Sequence, residues 1–371
     1  MVVKFSGSIS GPSWSPSDEV YVQGSIIVYP NSAYGITIGG EVIQSSAFEF
    51  TLSSTREVGT CKIEIVDGGG IYKQLIDAKD EIRIFVKPEY ATHPVFLFRG
   101  NVQDVNYIQH KGQITTITGV SIEQKLFDVT ITKDYVNEDI VDIVKDLLDE
   151  QPVFIQNDLP TITGKKITIS FEKENIFTAI HKVIAPFNYR FFAETDYKVY
   201  LYAAANIPIS TDSIELGDIT TVSDVKDTQS FYNRAVIQGK DSSISSTEND
   251  EVAQDKYDGI IDYFAILPDL QTEADTTAAA KNIITNYANP IKKYTLVIKP
   301  IYYTRAGYRL EIEFPDTDLD SSYYEIKKIK FMFMQNDRKV EIEVNSSDKY
   351  FEDLILDMSQ GLTSTMKKTF A

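Results

Sequence analysis

The side chains that could do chemistry in this chain lie far apart in the sequence. His93 is in a proline-flanked loop, His110 is in a predicted turn and His181 is on a predicted helix. None of them has a cysteine or carboxylate partner at the spacing that a zinc site uses. Cys61 is the single cysteine, which excludes an intrachain disulfide and a thiolate metal cluster. These residues predict no metal centre and no cofactor.

The clearest ligand pattern is the acidic triplet Asp316, Asp318 and Asp320. Alternating carboxylates can surround a calcium ion, but an EF-hand loop also needs glycine at its sixth position and glutamate at its twelfth. This chain has Ser321 and Lys327 at those two positions. We therefore interpret the triplet as an acidic hairpin loop, with calcium binding as the alternative.

The sequence also lacks the short motifs that identify catalytic sites. It contains no G-x-S-x-G elbow, no H-E-x-x-H helix, no Walker loop and no G-x-G-x-x-G fingerprint. A hydrolase would need an acid–base pair in a cleft, and no such pair can be singled out among 54 acidic residues. We therefore predict no catalytic residue and expect that the chain is not an enzyme.

Charge and hydrophobicity limit the partners of the chain. The formal net charge is −18, whereas a protein that grips DNA needs a basic surface to neutralise phosphates. An acidic wall instead repels DNA and lets it pass, although acidity also serves solubility alone. No stretch approaches 18 apolar residues and the first residues do not form a signal-peptide pattern, so we expect neither a membrane span nor secretion.

The elements that must position these residues are mainly strands. Residues 1–20 read as an arm, and 21–127 form a succession of short alternating runs bounded by turn residues, which predicts a first β-barrel. Residues 128–204 form a small α/β module, with a helix that follows an N-cap at Asn137 and a second helix that ends at Pro186.

A second β-barrel is predicted over 205–350. It is interrupted at 241–290 by a polar loop (241–258), which we expect to be too hydrophilic to pack, and by an alanine-rich helix from about 273 to 288. Residues 351–371 form a tail.

Two segments, 79–121 and 306–346, have the same organisation. Each has an alternating strand, a proline-containing loop, a long strand, a tight polar turn and another alternating strand. The interval from Phe98 to Ile114 is 16 residues, as is that from Tyr324 to Val340. Order and spacing together predict an internal duplication. Three copies of a chain with two equivalent barrels would place six similar units around one axis, so that a threefold ring could dock on a sixfold tube.

Four stretches resemble the tail hub, or baseplate hub, family of tailed viruses and contractile injection systems. They occur in the family's order over roughly residues 35–350, and Asn233, Arg234, Val236 and Gly239 match its "N-R-V-x-V-x-G" strand, which opens the second barrel. The other stretches resemble the close of the first barrel, the helix-and-hairpin insertion and the closing block. The four are FRGNVQDVNY with QITTITGVSIEQKL, FEKENIFTAIHKVIAPFNYRFFAETDYKVYLY, FYNRAVIQG, and RLEIEFPDTDLDSSYYEIKKIKFMFMQNDRKVEIEVNS.

The resemblance implies a structural virion protein that is made in the host cytoplasm and assembles as a homotrimer at the tail tip. Its implied partners are a tail tube or distal tail protein, the tape-measure protein, a tip, spike or fibre protein, and DNA that passes through without specific binding. The repeat strands would build the ring wall. Their candidate interface residues are Ile82, Ile84, Phe96, Phe98, Val102, Leu310, Ile312, Tyr324, Ile326 and Phe331.

Two other functions remain open on the sequence. A distal-tail or receptor-binding adhesin would also be acidic, rich in strands and trimeric. A tail-associated cell-wall hydrolase would require a site too diffuse to recognise from motifs.

Overall fold

The computed structural model describes residues 33–43, 45–54, 58–67, 70–87, 94–108, 113–160, 164–203, 206–227, 231–268, 270, 272–288, 291–312, 322–334 and 337–345. The predicted arm (1–20) and tail (351–371), the two histidines at 93 and 110, and the candidate carboxylates Asp316, Asp318 and Asp320 lie outside the described residues.

The described chain is mainly β, as predicted. Its first part contains β1 (Ala33–Ile38), β2 (Glu41–Val42), β3 (Ala47–Ser53), β4 (Thr60–Val66), α1 (Ile71–Leu75), β5 (Glu81–Lys87), β6 (Val95–Ile108) and β7 (Ile114–Ser121). The middle contains α2 (Gln124–Phe127), β8 (Thr130–Asp139), α3 (Ile140–Asp149), β9 (Ile155–Asp158), β10 (Lys166–Asn175), α4 (Ile176–Ile184), β11 (Tyr189–Ala193) and β12 (Lys198–Ala203). The last part contains β13 (Ile209–Ile214), β14 (Ile219–Asp227), β15 (Arg234–Gln238), β16 (Ser245–Asn249), α5 (Glu251–Lys256), β17 (Asp262–Ile266), α6 (Glu273–Tyr287), β18 (Ile291–Ile298), β19 (Arg309–Ile312), β20 (Ser322–Met334) and β21 (Asp337–Asn345).

One large sheet joins strands from both ends of the chain. Its order is β14-β18-β21-β20-β3-β4-β7-β6-β5-β1-β2, with β19 paired to β20 and β13 paired to β19. The pairing of β3 with β20 is antiparallel and connects the two halves. A single hydrophobic cluster, which extends from Ile36 to Val344, lies under this sheet.

The sheet contains the same five-stranded arrangement twice. In the first half, β5, β6 and β7 form an antiparallel meander, β4 pairs with β7, and β3 pairs with β4. In the second half, β19, β20 and β21 form the meander, β18 pairs with β21, and β14 pairs with β18. All of these pairings are antiparallel. We call β3–β7 repeat 1, and β14 with β18–β21 repeat 2.

The two repeats also share their ladder registers. The pairing of β6 with β7 shifts between Val102 and Asp104, and that of β20 with β21 shifts between Ile326 and Lys328. A bulge of this kind inserts one unpaired residue and increases the local twist. Because the bulges correspond, Val102 is equivalent to Ile326.

Gly100 lies two residues before Val102, and Tyr324 lies two residues before Ile326, so Tyr324 is equivalent to Gly100. The spacing in the sequence had suggested Phe98 as the counterpart of Tyr324. The registers therefore correct that match by two residues, because strand spacing alone does not locate a bulge.

The strand pairing differs from the two closed barrels that we predicted. Among the described residues the large sheet is open, with β14 and β2 at the ends of its path. The strand beside each meander also differs, since β1 runs antiparallel to β5 whereas β13 runs parallel to β19. Alternating strands predict which face is buried, but they do not determine whether a sheet closes on itself.

The α/β module has its own hydrophobic cluster, which extends from Ile122 to Leu201. Helix α3 buries the predicted apolar stripe, but its N-cap is Asp139 instead of Asn137, which has a left-handed backbone (φ 54°) at the end of β8. Helix α4 begins after Asn175, whose side chain accepts a hydrogen bond from the N–H of Thr178 (2.8 Å). A short 3₁₀ turn at Ala185–Phe187 follows α4.

A second, smaller unit lies between β14 and β18. Strands β15, β16 and β17 form a separate three-stranded sheet, and α6 packs on it. The 241–258 segment is therefore not an unpacked loop, because it forms β16 and α5. Its polar residues alternate along an edge strand, while Ala253 is buried and Asp250 caps α5. Strand β15 contains Arg234 and Val236 of the stretch that we had expected to open the second barrel, and it belongs to this unit instead.

Candidate functional site: the junction between the repeats

Nine of the ten predicted interface residues belong to the core cluster beneath the large sheet or pack against it, and Phe96 does not. Of the ten, all but two are buried, and Phe96 and Tyr324 are partly buried. Their side chains therefore hold the two meanders together within the chain, and their role at a ring interface stays a prediction. The buried residues are Ile82, Ile84, Phe98, Val102, Leu310, Ile312, Ile326 and Phe331.

The two repeats meet where β3 pairs with β20. Phe50 lies directly opposite Phe331, and Phe48 lies directly opposite Phe333. The rings of Phe50 and Phe331 stack with centroids 4.5 Å apart, and those of Phe48 and Phe333 stack at 4.6 Å. Aromatic cross-strand pairs are among the stronger contacts of antiparallel sheets. We call the four rings of Phe48, Phe50, Phe331 and Phe333 the aromatic clasp, and they form the main contact between the repeats.

Sequence reasoning had placed β3 in the first barrel but had not linked it to β20. The available signal was the pattern F-x-F, which occurs as Phe48-Glu49-Phe50 in one strand and as Phe331-Met332-Phe333 in the other. Alternate aromatic residues share one face of a strand, so two such strands can pair their aromatic rows. The pattern does not reveal which of many strands is the partner.

Polar contacts extend the clasp at both ends. The N–H of Ser54 donates to the carbonyl oxygen of Lys327 (2.9 Å), and Lys330 forms a half-exposed ion pair with Glu49 (3.1 Å). The hydroxyl groups of Tyr34 and Tyr302 are hydrogen-bonded at 3.2 Å, and burial raises the pKa of Tyr34 above its usual value. The exposed ion pair adds little stability, whereas the backbone pairing makes the two repeats one continuous sheet.

A second junction lies where the α/β module meets the sheet, and Arg305, in the connection between β18 and β19, lines it. Its guanidinium group donates to the carbonyl oxygens of Phe96 (2.6 Å), Tyr302 (3.2 Å) and Thr304 (3.2 Å). Burial lowers the pKa of this arginine from its usual value, while the nearby carboxylate of Glu194 opposes that change. The fixed donor fork of arginine suits these three backbone acceptors, one in β6 and two in the connection between β18 and β19.

The hairpin between β11 and β12 supplies the other side of this junction. The hydroxyl of Tyr308 donates to the carboxylate of Glu194 (2.6 Å). Arg99 donates to the carbonyl oxygen of Thr195 (3.1 Å), forms an ion pair with Glu81 (2.6 Å), and lies over the ring of Tyr197 at 4.2 Å. These contacts join the hairpin tip to both repeats, and sequence reasoning did not predict them.

One carboxyl oxygen among the described residues of this junction, Oε2 of Glu123, is buried without a hydrogen-bond partner. The carboxyl of Glu123 is buried beside Ser121, and burial raises the pKa of Glu123 while the serine hydroxyl opposes the rise. Glu123, Glu194, Arg305 and Tyr308 line the same groove. Because the other three are held by one another or by backbone carbonyls, we interpret the groove as a module anchor.

The histidine and the cysteine of the described residues, His181 and Cys61, are both buried. His181 packs against the ring of Phe177, with centroids 4.4 Å apart. Cys61 lies under the sheet, where burial raises its pKa to about 12 and keeps it a thiol. Among the described residues, no three His, Cys, Asp or Glu side chains form a cluster that could hold a metal ion. No helix in this part of the chain is long and apolar enough to cross a membrane.

Comparison with known proteins identifies the fold. No family model matches the chain, and no curated protein matches it in sequence. Among solved structures, a 43 kDa tail protein of prophage MuSo2 from Shewanella oneidensis is 13% identical, with a TM-score of 0.67, 85% of this chain covered and 98% of that one. A tail protein from Neisseria meningitidis is 12% identical, with a TM-score of 0.65 and 85% and 96% covered.

A third similar structure comes from an injection machine. The Escherichia coli c3393 protein, a type VI secretion component described as similar to the T4 tail proteins gp27 and gp5, is 9% identical to this chain, with a TM-score of 0.54 and 83% and 76% covered. The resemblance that we drew from sequence is thereby confirmed at the level of fold: the chain has the fold of these phage tail proteins and of the type VI secretion component.

Proposed function

We propose that this chain is a structural subunit of a tail or baseplate, and that it acts as a trimeric hub between a sixfold tail tube and a threefold tip. The observation that carries the proposal is the repeat: five strands occur twice in one chain, with the same order, the same directions and corresponding bulges. The shared fold with tail proteins supports the structural role.

The repeat gives the proposal its geometry. Closed rings of identical chains have cyclic symmetry, and a chain with two similar units doubles the number of units around the axis. Three chains then present six units to a sixfold partner while keeping threefold symmetry elsewhere. The aromatic clasp supports this because it fixes the two repeats side by side in one sheet.

The proposed partners follow from this position. One face of the ring adjoins a tail tube or distal tail protein, and the other adjoins a tip, spike or fibre protein. The tape-measure protein and DNA pass through the lumen of the ring. The net charge of −18 on each chain would repel the DNA phosphates and so prevent binding to the wall. On this proposal the protein is a virion component of the tail tip, made in the host cytoplasm.

Two measurements test the proposal. Mass photometry of the full chain, alone and with the tube protein of the same particle, should detect a species with three copies. Electron microscopy of the mixture should show it as a ring at tube ends. A chain that stays monomeric at micromolar concentration and never associates with tubes would refute the hub.

A further inference from the structure

We propose that neighbouring protomers are joined by the same strand pairing that joins the two repeats within one chain: the outer edge of β6, from Asp104 to Ile108, pairs antiparallel with β14 of the next protomer. This inference rests on the proposed trimer and specifies its interface.

The first edge is on β6. The N–H and carbonyl of Val102 bond to Asp80 and Lys79 (2.8 and 2.9 Å), and beyond this point β6 pairs only with β7 among the described strands. The equivalent Ile326 in β20 bonds in the same way to Tyr308 and Gly307 (2.9 and 2.7 Å). Beyond Ile326, however, β3 continues the sheet. The outer edge of β6 is therefore the position that β3 occupies on β20.

The second edge is on β14, which is the counterpart of β3. It pairs with β18 on one side, and its other side has no partner strand in the described part of the chain. Val222 in β14 is equivalent to Phe48 in β3. Val222 is 39% exposed, whereas Phe48 is 8% exposed because β20 covers it. An unpaired strand edge is a template for another chain.

The same strand contact, used once within each chain and once between neighbouring chains, can close a ring. The contact of β3 with β20 joins two different edges, so it is a head-to-tail contact, and such contacts generate rings when their rotation closes. Among its described strands, each chain offers one unpaired edge on β6 and one on β14, which match each other as β20 and β3 match. Three chains that alternate internal and external pairings therefore contain six equivalent strand junctions.

The register of β3 with β20 within the chain predicts the register of β6 with β14 between protomers. Within the chain, Met332 pairs with Glu49. The bulges make Ile108 equivalent to Met332, and the ladders of β4 and β18 make Ser223 equivalent to Glu49. Ile108 of one protomer should therefore lie opposite Ser223 of the next.

The same count predicts two further pairs. Tyr107 should lie opposite Asp224, and Asp104 should lie opposite Asp227.

Exposed apolar side chains near the outer edge of β6 support the proposal that another protomer covers it. Ile108 is 50% exposed and Val66 is 66% exposed, and both pair with residue Ile114 from opposite sides of β7. They form an apolar row at the end of repeat 1. The predicted pairs between protomers contain one aromatic ring, whereas the clasp contains four. The contact between chains should therefore be weaker than the clasp and should open first.

Cysteine cross-linking tests the register. The double variant I108C/S223C should form disulfides between chains under mild oxidation, because directly opposite residues place their Cβ atoms close enough for a disulfide. Non-reducing gels should show covalent dimers and trimers. The native Cys61 is buried and does not compete. The matched control I108C/T221C is two residues out of register and should cross-link far less, as should each single variant.

The outcomes separate this inference from the hub proposal. Trimers with in-register cross-links support both. Trimers in which neither edge cross-links overturn the strand pairing and leave the hub intact. Monomers under all conditions overturn both.

Discussion

Phe50 and Phe331 lie directly opposite each other in β3 and β20, with their rings stacked at 4.5 Å and an interplanar angle of 18°. Both side chains are fully buried, at 1% and 0% exposed. This pair lies at the centre of the contact that makes two repeats, far apart in sequence, into one sheet. Several measurable consequences follow from it and from the junctions around it.

Removing either ring should weaken the whole sheet. F331A or F50A should lower the free energy of unfolding by about 3–5 kcal/mol, because each leaves a cavity in the core. In a double-mutant cycle the two rings should show a coupling of about 0.5–1.5 kcal/mol. Denaturant unfolding measures both quantities. A coupling near zero would mean that the rings pack independently and that the clasp is not a unit.

The groove beneath the α/β module should make stability depend on pH. Burial raises the pKa of Glu123 in the folded protein, so its contribution to stability is complete below the unfolded pKa and decreases as pH rises through the folded value. E123Q should therefore be more stable than wild type at pH 8 and nearly equal to it at pH 4. Thermal unfolding at both pH values is the measurement, and a constant difference would contradict the assignment.

The hairpin tip should loosen when Tyr308 loses its hydroxyl. Y308F leaves the carboxylate of Glu194 without its 2.6 Å donor, which should cost about 1–3 kcal/mol. Hydrogen exchange should increase in β11 and β12 and remain unchanged in β3 and β20. Y303F, at a neighbouring exposed tyrosine, is the matched control. Equal exchange in Y308F and Y303F would show that this hydrogen bond does not anchor the module.

A methyl group at Gly119 should disturb repeat 1. A Cβ atom there would clash with the Ile82 side chain and approach the Cys61 Sγ at 2.9 Å. G119A should therefore destabilise the chain by about 1–3 kcal/mol. Gly217 has no atom within 4 Å of such a Cβ, so G217A should change stability little. Similar losses in both variants would indicate that the effect of G119A is not steric.

Local patterns were sufficient to predict most of the elements and the internal repetition, but they missed β16 and α5. Alternation with period two indicated the strands of both meanders, and the stripe from Ile140 to Leu148 indicated a helix that the structure contains. These predictions succeed because burial of one face depends on residues close together in sequence. The candidate site was predicted only in part, because the wall residues were identified but lie in the core.

The partner of each strand was decided by tertiary structure alone. No local pattern shows that β3 pairs with β20, that β15 belongs to a separate sheet, or that the described strands form an open sheet instead of two barrels. Every strand offers the same backbone donors and acceptors on both edges, so hydrogen bonding does not distinguish one partner from another. The choice depends on which side chains fit across the ladder, as Phe50 fits Phe331, and those residues meet only when the whole chain has folded.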